Sequence, residues 1–133
     1  MTSGLKIVIA EDNAIIAMDL AELLLGMGHD VQAIASTEAA AVAAAIRCQP
    51  DLMIVDGNLA EGSGCAAMDQ ILARGFVSHL YVTGDPSEIL QFEQDAVIVV
   101  KPFSMKGLAD GIAKARCVVG DPYEPRSVKH HFE

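Results

Sequence analysis

The chain has 133 residues, of which 52% are hydrophobic, and its 9 basic and 18 acidic side chains give a formal net charge of −9. This length and hydrophobic content are typical of one globular domain with a substantial core, and they exclude a disordered or fibrous protein. The acidic excess argues against binding to nucleic acid or to an anionic membrane. Because no apolar run approaches the ~20 residues that span a bilayer, we expect a soluble, cytoplasmic protein.

Short apolar segments alternate with helical segments along the chain. The predicted strands are 5–10, 31–35, 52–55, 79–83 and 96–100, and the predicted helices are about 14–26, 38–48, 63–73, 87–94 and 105–118. Such alternation predicts right-handed βαβ units and an α/β fold with a doubly wound parallel sheet. With five strands we expect the flavodoxin-like order 2-1-3-4-5 and five helices. Only a short or irregular fourth helix fits between strands 4 and 5.

The same periodicity predicts the domain boundaries and the inner faces of the helices. We assign 5–118 to the folded domain and 119–133, which has two prolines and no periodicity, to a C-terminal tail without an output domain. The positions expected to face the sheet are Ala39, Val42, Ala43 and Ile46 in helix 2, and Met105, Leu108, Ile112 and Ala115 in helix 5.

Polar side chains stand at the ends of four predicted strands. Glu11 and Asp12 follow strand 1, Asp56 follows strand 3, Thr83 ends strand 4 and Lys101 follows strand 5. The carboxyl ends of the strands of an open α/β sheet form the crevice in which ligands bind, so we expect these side chains to converge. Taken singly, an aspartate at a strand end is usually a helix cap or part of a solvated turn. The combination and order of these residues favour a functional site.

Three carboxylates held together repel one another unless a proton or a cation lies between them. Mg²⁺ prefers hard oxygen ligands in octahedral geometry, which an acidic corner supplies. We expect Asp12 and Asp56 to be direct ligands and Glu11 to bind through water, with the backbone carbonyl of Asn58 completing the set. An aspartate beside a metal also suits nucleophilic attack on phosphorus, with Lys101 and Thr83 stabilising the transferred group.

These motifs resemble those of the receiver domains of two-component response regulators. The resemblance covers about 5–118 and rests on Glu11-Asp12, Asp56 with Gly64 eight positions later, Thr83-Gly84 and Lys101-Pro102-Phe103. It implies that Asp56 accepts a phosphoryl group from a phosphohistidine on a sensor histidine kinase or a histidine phosphotransfer protein. It also implies Mg²⁺ bound by the two residues after strand 1, movement of the threonine toward the phosphoryl group, and a cis Lys-Pro bond.

Departures from the family pattern concern the readout of phosphorylation. Three positions before the lysine the family usually has Tyr or Phe, and this chain has Ile98. The stretch Tyr81-Val-Thr-Gly84 resembles a subgroup, common among stand-alone regulators of alphaproteobacteria, that has Phe-Ala-Thr-Gly and a reduced helix 4. Tyr81 either replaces the missing aromatic switch or is a strand aromatic packed under helix 4. Asp85 either orients a water molecule or caps the short helix.

The resemblance implies a stand-alone response regulator that acts by phosphorylation-dependent contact with a protein partner, or as a phosphate sink. Such a receiver is not an enzyme in the usual sense, because it promotes only its own phosphorylation and dephosphorylation. Two alternatives remain. One is a small phosphatase-like hydrolase with Asp56 as nucleophile, although Asn58 stands where that chemistry needs a second acid. The other is a degenerate receiver that is never phosphorylated and serves as a scaffold.

Overall fold

The structure is a computed structural model that describes residues 4–118, so the predicted tail, 119–133, lies outside the described residues. The elements are β1 (Lys6–Ala10), α1 (Ala14–Gly26), β2 (Asp30–Ala35), α2 (Glu38–Cys48), β3 (Leu52–Asp56), α3 (Gly64–Leu72), β4 (Ser78–Thr83), α4 (Pro86–Phe92), β5 (Ile98–Val100) and α5 (Met105–Cys117). All strand pairs are parallel and the sheet order is β2-β1-β3-β4-β5, which confirms the predicted flavodoxin-like fold.

β3 lies at the centre of the sheet and every one of its residues is buried. A parallel strand with both faces covered by helices is expected to be a continuous apolar run, and Leu52 to Val55 satisfies this. One face of the sheet packs against α2, α3 and the buried Ile89 of α4, and the other against α1 and α5. Asp56 therefore lies at the end of a strand that is fully buried and paired on both sides.

Side-chain caps start all five helices at the edge of the sheet where the strands end. The N-cap residues are Asn13, Thr37, Ser63, Asp85 and Ser104, and each accepts a hydrogen bond from a backbone N–H of the first turn. A cap of this kind stabilises a helix by about 1 kcal/mol. Because the caps fix where each helix begins, they also fix the loops that surround the carboxyl edge of the sheet.

The predicted inner face of α2 is wrong. Its buried residues are Ala41, Ala44 and Ala45. Val42 is partly buried, whereas Ala39, Ala43 and Ile46 are exposed. Alanine at six of the eleven positions leaves little contrast in side-chain size between the faces of α2, and the prediction followed the face of its two larger apolar residues, Val42 and Ile46. The three alanines that do face inward have small side chains, which allow α2 to approach the sheet closely.

The C-terminal elements follow the predictions with two corrections. Leu108, Ile112 and Ala115 of α5 are buried as predicted, but Met105 is 57% exposed because it lies in the first turn, beyond the sheet. β5 has three residues and not the predicted five. α4 has seven residues and begins at Pro86, so the short fourth helix is confirmed. Among residues 4–118, none of the helices has both the length and the apolar character required to cross a membrane.

Candidate functional site

The two central strands bring the acidic residues together. β1 and β3 are neighbours in register, with Ala10 opposite Val55, so the residues that follow them lie side by side. Glu11 is 2% exposed and Asp56 is 7% exposed, while Asp12 is open to solvent. One carboxylate oxygen from each of the three lies within 4.8 Å of the others. The strand ends thus form an acidic corner with one exposed side.

Lys101 bridges the two buried carboxylates of this corner. Its Nζ donates to Asp56 Oδ2 at 3.0 Å and to Glu11 Oε1 at 3.1 Å. Partial burial acts to lower the pKa of Lys101, but the hydrogen bonds to Asp56 and Glu11 raise it above its ordinary value. The lysine is therefore a fixed positive charge at neutral pH. The Lys101–Pro102 peptide bond is cis, as the family resemblance implied.

Glu11 has an unusual protonation equilibrium. Burial is the main cause, and a side-chain hydrogen bond with Asp56 adds to it, so that the pKa of Glu11 rises from 4.5 to about 7. Hydrogen bonds from the Asn13 N–H and from Lys101 oppose this rise but do not cancel it. Three carboxylates thus stand beside one lysine in this corner. The donor set consists of carboxylate oxygens around an exposed opening. It fits a divalent cation that prefers hard oxygen ligands.

The loop after β3 orients Asp56 from the other side. The backbone N–H of Asn58 donates to Asp56 Oδ1 at 3.1 Å, so both carboxylate oxygens of Asp56 have a donor. Gly64 allows this loop to close, because a Cβ atom there would overlap the carbonyl oxygen of Asp56. Its N–H donates to the carbonyl of Gly57 at 3.0 Å. The loop is therefore closed and in contact with the Asp56 carboxylate.

Thr83 lies beside the acidic corner, but its hydroxyl is held by its own loop. Oγ1 accepts a hydrogen bond from the Asp85 N–H at 3.1 Å and donates to the Asp85 carbonyl at 3.3 Å. Asp85 in turn caps α4, and hydrogen bonds from Ser87 lower its pKa below the ordinary value. The capping interpretation of Asp85 is confirmed. Of the predicted site residues, Glu11, Asp12, Asp56 and Lys101 converge, and Thr83 stands adjacent to them.

Tyr81 is packed beneath α4 in this structure. It is fully buried, its hydroxyl donates to Glu93 Oε1 at 3.0 Å, and its ring meets that of His79 edge-on at 5.7 Å. Its neighbour in β5 is Ile98, the residue that replaces the usual aromatic. This is the arrangement expected of a strand aromatic under helix 4. A sensing role for Tyr81 remains a prediction.

Two residues near the site were not predicted from the sequence. The Ile89 side chain of α4 packs so closely over Gly57 that a Cβ atom on the glycine would lie 3.2 Å from Ile89 Cδ1. Glu38 of α2 accepts a hydrogen bond from the Ser63 N–H in the loop after Asp56. The apolar spacing of α4 could have indicated Ile89. In the sequence, Glu38 is an ordinary acid in the first turn of a helix. Nothing near it indicates a hydrogen bond with Ser63, which lies 25 residues further along the chain.

The sheet order, the acidic corner and the bridging lysine define a receiver domain, and the chain belongs to the receiver domains of response regulators. No protein-family model matches it. It is similar in particular to the phyllosphere-induced regulator PhyR of Methylorubrum extorquens, with 35% identity over 114 residues that cover 83% of this chain and 43% of PhyR. It is also 32% identical to the transcriptional regulatory protein PdtaR of Mycobacterium tuberculosis, over 83% of this chain and 56% of PdtaR.

Solved structures of response regulator domains are also similar to this chain. The receiver domain of Erythrobacter litoralis PhyR superposes with a TM-score of 0.81 at 28% identity and covers 92% of this chain and 97% of that domain. The response regulator domain of Thermotoga maritima CheB superposes with a TM-score of 0.78 at 20% identity, covering 88% of this chain and 99% of that domain, which shows the shared fold. The chain spans about half the length of the curated relatives it matches.

Proposed function

We propose that Asp56 accepts a phosphoryl group from a phosphohistidine on a sensor histidine kinase or a histidine phosphotransfer protein, and that the reaction depends on Mg²⁺. One observation carries this proposal. Asp56 ends the central strand beside two acids, and Nζ of Lys101 lies 3.0 Å from its Oδ2. An aspartate placed only for stability would not need three charged neighbours at the open edge of a sheet.

The chemistry requires in-line attack and charge compensation. A carboxylate oxygen of Asp56 attacks phosphorus and forms a P–O bond, while the P–N bond to the donor imidazole breaks and its electron pair leaves with the imidazole nitrogen. The product is an acyl phosphate. Phosphoryl transfer mainly requires that the charge on the phosphoryl oxygens be stabilised. Lys101, which already contacts Oδ2, would donate to one of these oxygens.

The proposed Mg²⁺ ligands are Asp12, Asp56 and the carbonyl of Asn58, with Glu11 binding through water. When bound, the ion neutralises the charge that develops on the phosphoryl oxygens. Asp12 is the exposed member of the corner and faces the side from which a cation would enter. Glu11 supplies negative charge from the buried side. The three carboxylates would then hold one cation without mutual repulsion.

Thr83 is the proposed link between phosphorylation and a partner. To donate to a phosphoryl oxygen, its hydroxyl must give up the hydrogen bond that it donates to the carbonyl of Asp85, the cap of α4. The start of α4 would shift as a result, and Ile89, which packs on Gly57, would move with it. We propose that a protein partner recognises this change, or that the chain drains phosphoryl groups from a kinase. PhyR of Bartonella quintana is described as an anti-anti-sigma factor, which favours a protein target.

The chain is proposed to be a signalling receiver and not a general phosphatase. Asn58 cannot protonate a leaving group from the position two residues after the nucleophile. Incubation with beryllofluoride and Mg²⁺, a mimic of the acyl phosphate, tests the proposal. We expect shifts of the Asn58 and Thr83 amide signals in nitrogen-15 NMR spectra, and no shifts in the Asp56→Asn variant. Equal shifts in both proteins, or turnover of a generic phosphate ester, would contradict it.

A further inference from the structure

Glu38, the first residue of α2, reaches across to the loop that follows Asp56. Its Oε1 accepts a hydrogen bond from the backbone N–H of Ser63 at 3.1 Å, and its Oε2 accepts one from the side-chain amide of Gln70 at 2.6 Å. Its own backbone N–H donates to the carbonyl of Glu61 at 2.9 Å. Three hydrogen bonds from one residue thus tie α2 to the loop and to α3.

The loop is shaped around this carboxylate. Gly62 adopts a φ of +87°, and a Cβ atom on it would overlap the Glu38 side chain. Ser63 is the N-cap of α3, so the Glu38 carboxylate lies at the positive end of α3 as well as in the first turn of its own helix. Both helix ends favour an acid at this point. The backbone of Gly62 and the starts of α2 and α3 therefore favour a glutamate at position 38 over another residue.

A short series of contacts leads from Glu38 to the acceptor carboxylate. Ser63, which Glu38 holds, pairs with Asn58 across an antiparallel bridge. The N–H of Asn58 donates to Asp56 Oδ1 at 3.1 Å. Gly57, Gly62 and Gly64 give the loop little intrinsic order, because glycine loses more conformational freedom on folding than any other residue. The position of Asn58 consequently depends on what holds the far side of the loop.

We propose that Glu38 is a positioning residue for the phosphorylation site. It holds Ser63, and through Ser63 it holds Asn58 at the place where the Asn58 N–H orients Asp56 and the Asn58 carbonyl serves the cation. This inference rests on the proposed function, in which that carbonyl is a Mg²⁺ ligand. Glu38 itself contacts none of the reacting groups, so it acts only through the geometry of the loop.

Mg²⁺ titration of the chain, followed by the amide signal of Asn58 in nitrogen-15 NMR spectra, tests this role without requiring phosphoryl transfer. We expect Glu38→Ala to weaken Mg²⁺ binding about tenfold, the lower end of the loss seen when a residue that orients a metal ligand is removed. Glu38→Gln should bind almost as the wild type does, because an amide oxygen still accepts from Ser63 and the Gln70 amide can rotate to accept in turn. The control is Glu22→Ala, an exposed glutamate of α1, which should not change affinity.

The outcomes separate this inference from the proposed function. If the wild type binds Mg²⁺ and Glu38→Ala binds it equally well, the positioning role fails and the proposed function stands. If Glu38→Gln is as weak as Glu38→Ala, the hydrogen-bond route is contradicted. If the wild type binds no Mg²⁺, both proposals fail. Should Glu38→Ala not fold, Glu38→Asp replaces it, because its shorter side chain cannot reach Ser63, and the same loss of affinity is expected.

Discussion

The titration of Glu11 should make Mg²⁺ binding depend on pH, and replacing Glu11 should remove this dependence. Burial and the hydrogen bond with Asp56 raise its pKa from 4.5 to about 7. A cation in the acidic corner favours the ionised carboxyl, so Mg²⁺ binding should release a proton and strengthen as the pH rises. The replacement Glu11→Gln keeps the size of the side chain and one of its two acceptor oxygens, and it removes this titration.

The magnitude follows from the ionised fraction of Glu11. One pH unit below its pKa about a tenth of the carboxyl is ionised, and one unit above about nine tenths. The apparent Mg²⁺ affinity of the wild type should therefore be about tenfold higher near pH ~8 than near pH ~6. In Glu11→Gln the affinity should be lower near pH ~8 and nearly independent of pH across this range.

The raised pKa also affects stability in the absence of Mg²⁺. Between the unfolded value of 4.5 and the folded value of about 7, the folded state binds a proton that the unfolded state has lost. The stabilising contribution of neutral Glu11 is thus fully present below the unfolded pKa and is lost as the pH rises through the folded pKa. The free energy of unfolding should fall by at most about 3 kcal/mol across this window.

Isothermal titration calorimetry with Mg²⁺ at the two pH values, on the wild type and Glu11→Gln, checks the affinity prediction. Repeating the wild-type titration in buffers of different ionisation enthalpy measures the released proton directly. A wild-type affinity that does not change with pH would show that Mg²⁺ binding is not coupled to the ionisation of Glu11. An equally steep change in Glu11→Gln would assign the titration to another group.

Three further predictions concern the surroundings of Asp56. Gly64→Ala should lower the free energy of unfolding by about 3 kcal/mol in urea denaturation, because its Cβ would overlap the Asp56 carbonyl oxygen; an unchanged midpoint would contradict the close approach. Tyr81→Phe, which removes the hydrogen bond to Glu93, should cost about 1 kcal/mol in the same assay and leave phosphorylation by acetyl phosphate intact; a loss of phosphorylation would give Tyr81 a role in the site. Lys101→Met should abolish that phosphorylation while the chain stays folded by circular dichroism, and an unchanged rate would remove the lysine from the proposed chemistry.

The sheet and the position of Asp56 could be predicted because their causes are local. The apolar run from Leu52 to Val55 is a strong signal for a buried parallel strand, and the caps Asn13 and Ser104 mark helix starts at the residues where the structure has them. Given the strand order, convergence of the strand ends follows from geometry. Which of the convergent groups make contact does not follow, since that depends on side-chain conformation and packing.

Features that depend on long-range packing could not be predicted. The prediction for the inner face of α2 was wrong because alanine at six of its eleven positions gives a weak apolar pattern, so the packing against the sheet decides which face is buried. β5 is shorter than predicted because the Ala96 N–H donates to the Glu93 carbonyl, at 3.1 Å, in the turn after α4. Glu38 joins Ser63 only once α2 and α3 are packed side by side. The hydrogen bonds between Thr83 and Asp85 likewise arise from the conformation of their loop.

Intact-mass spectrometry after incubation with acetyl phosphate tests directly whether Asp56 is a Mg²⁺-dependent phosphoacceptor. We predict a mass gain of one phosphoryl group in the presence of Mg²⁺, its loss on removal of the metal with a chelator, and no gain in Asp56→Asn. Absence of any gain in the wild type would show that Asp56 does not accept a phosphoryl group, and a gain that persists in Asp56→Asn would place the phosphoryl group on another residue.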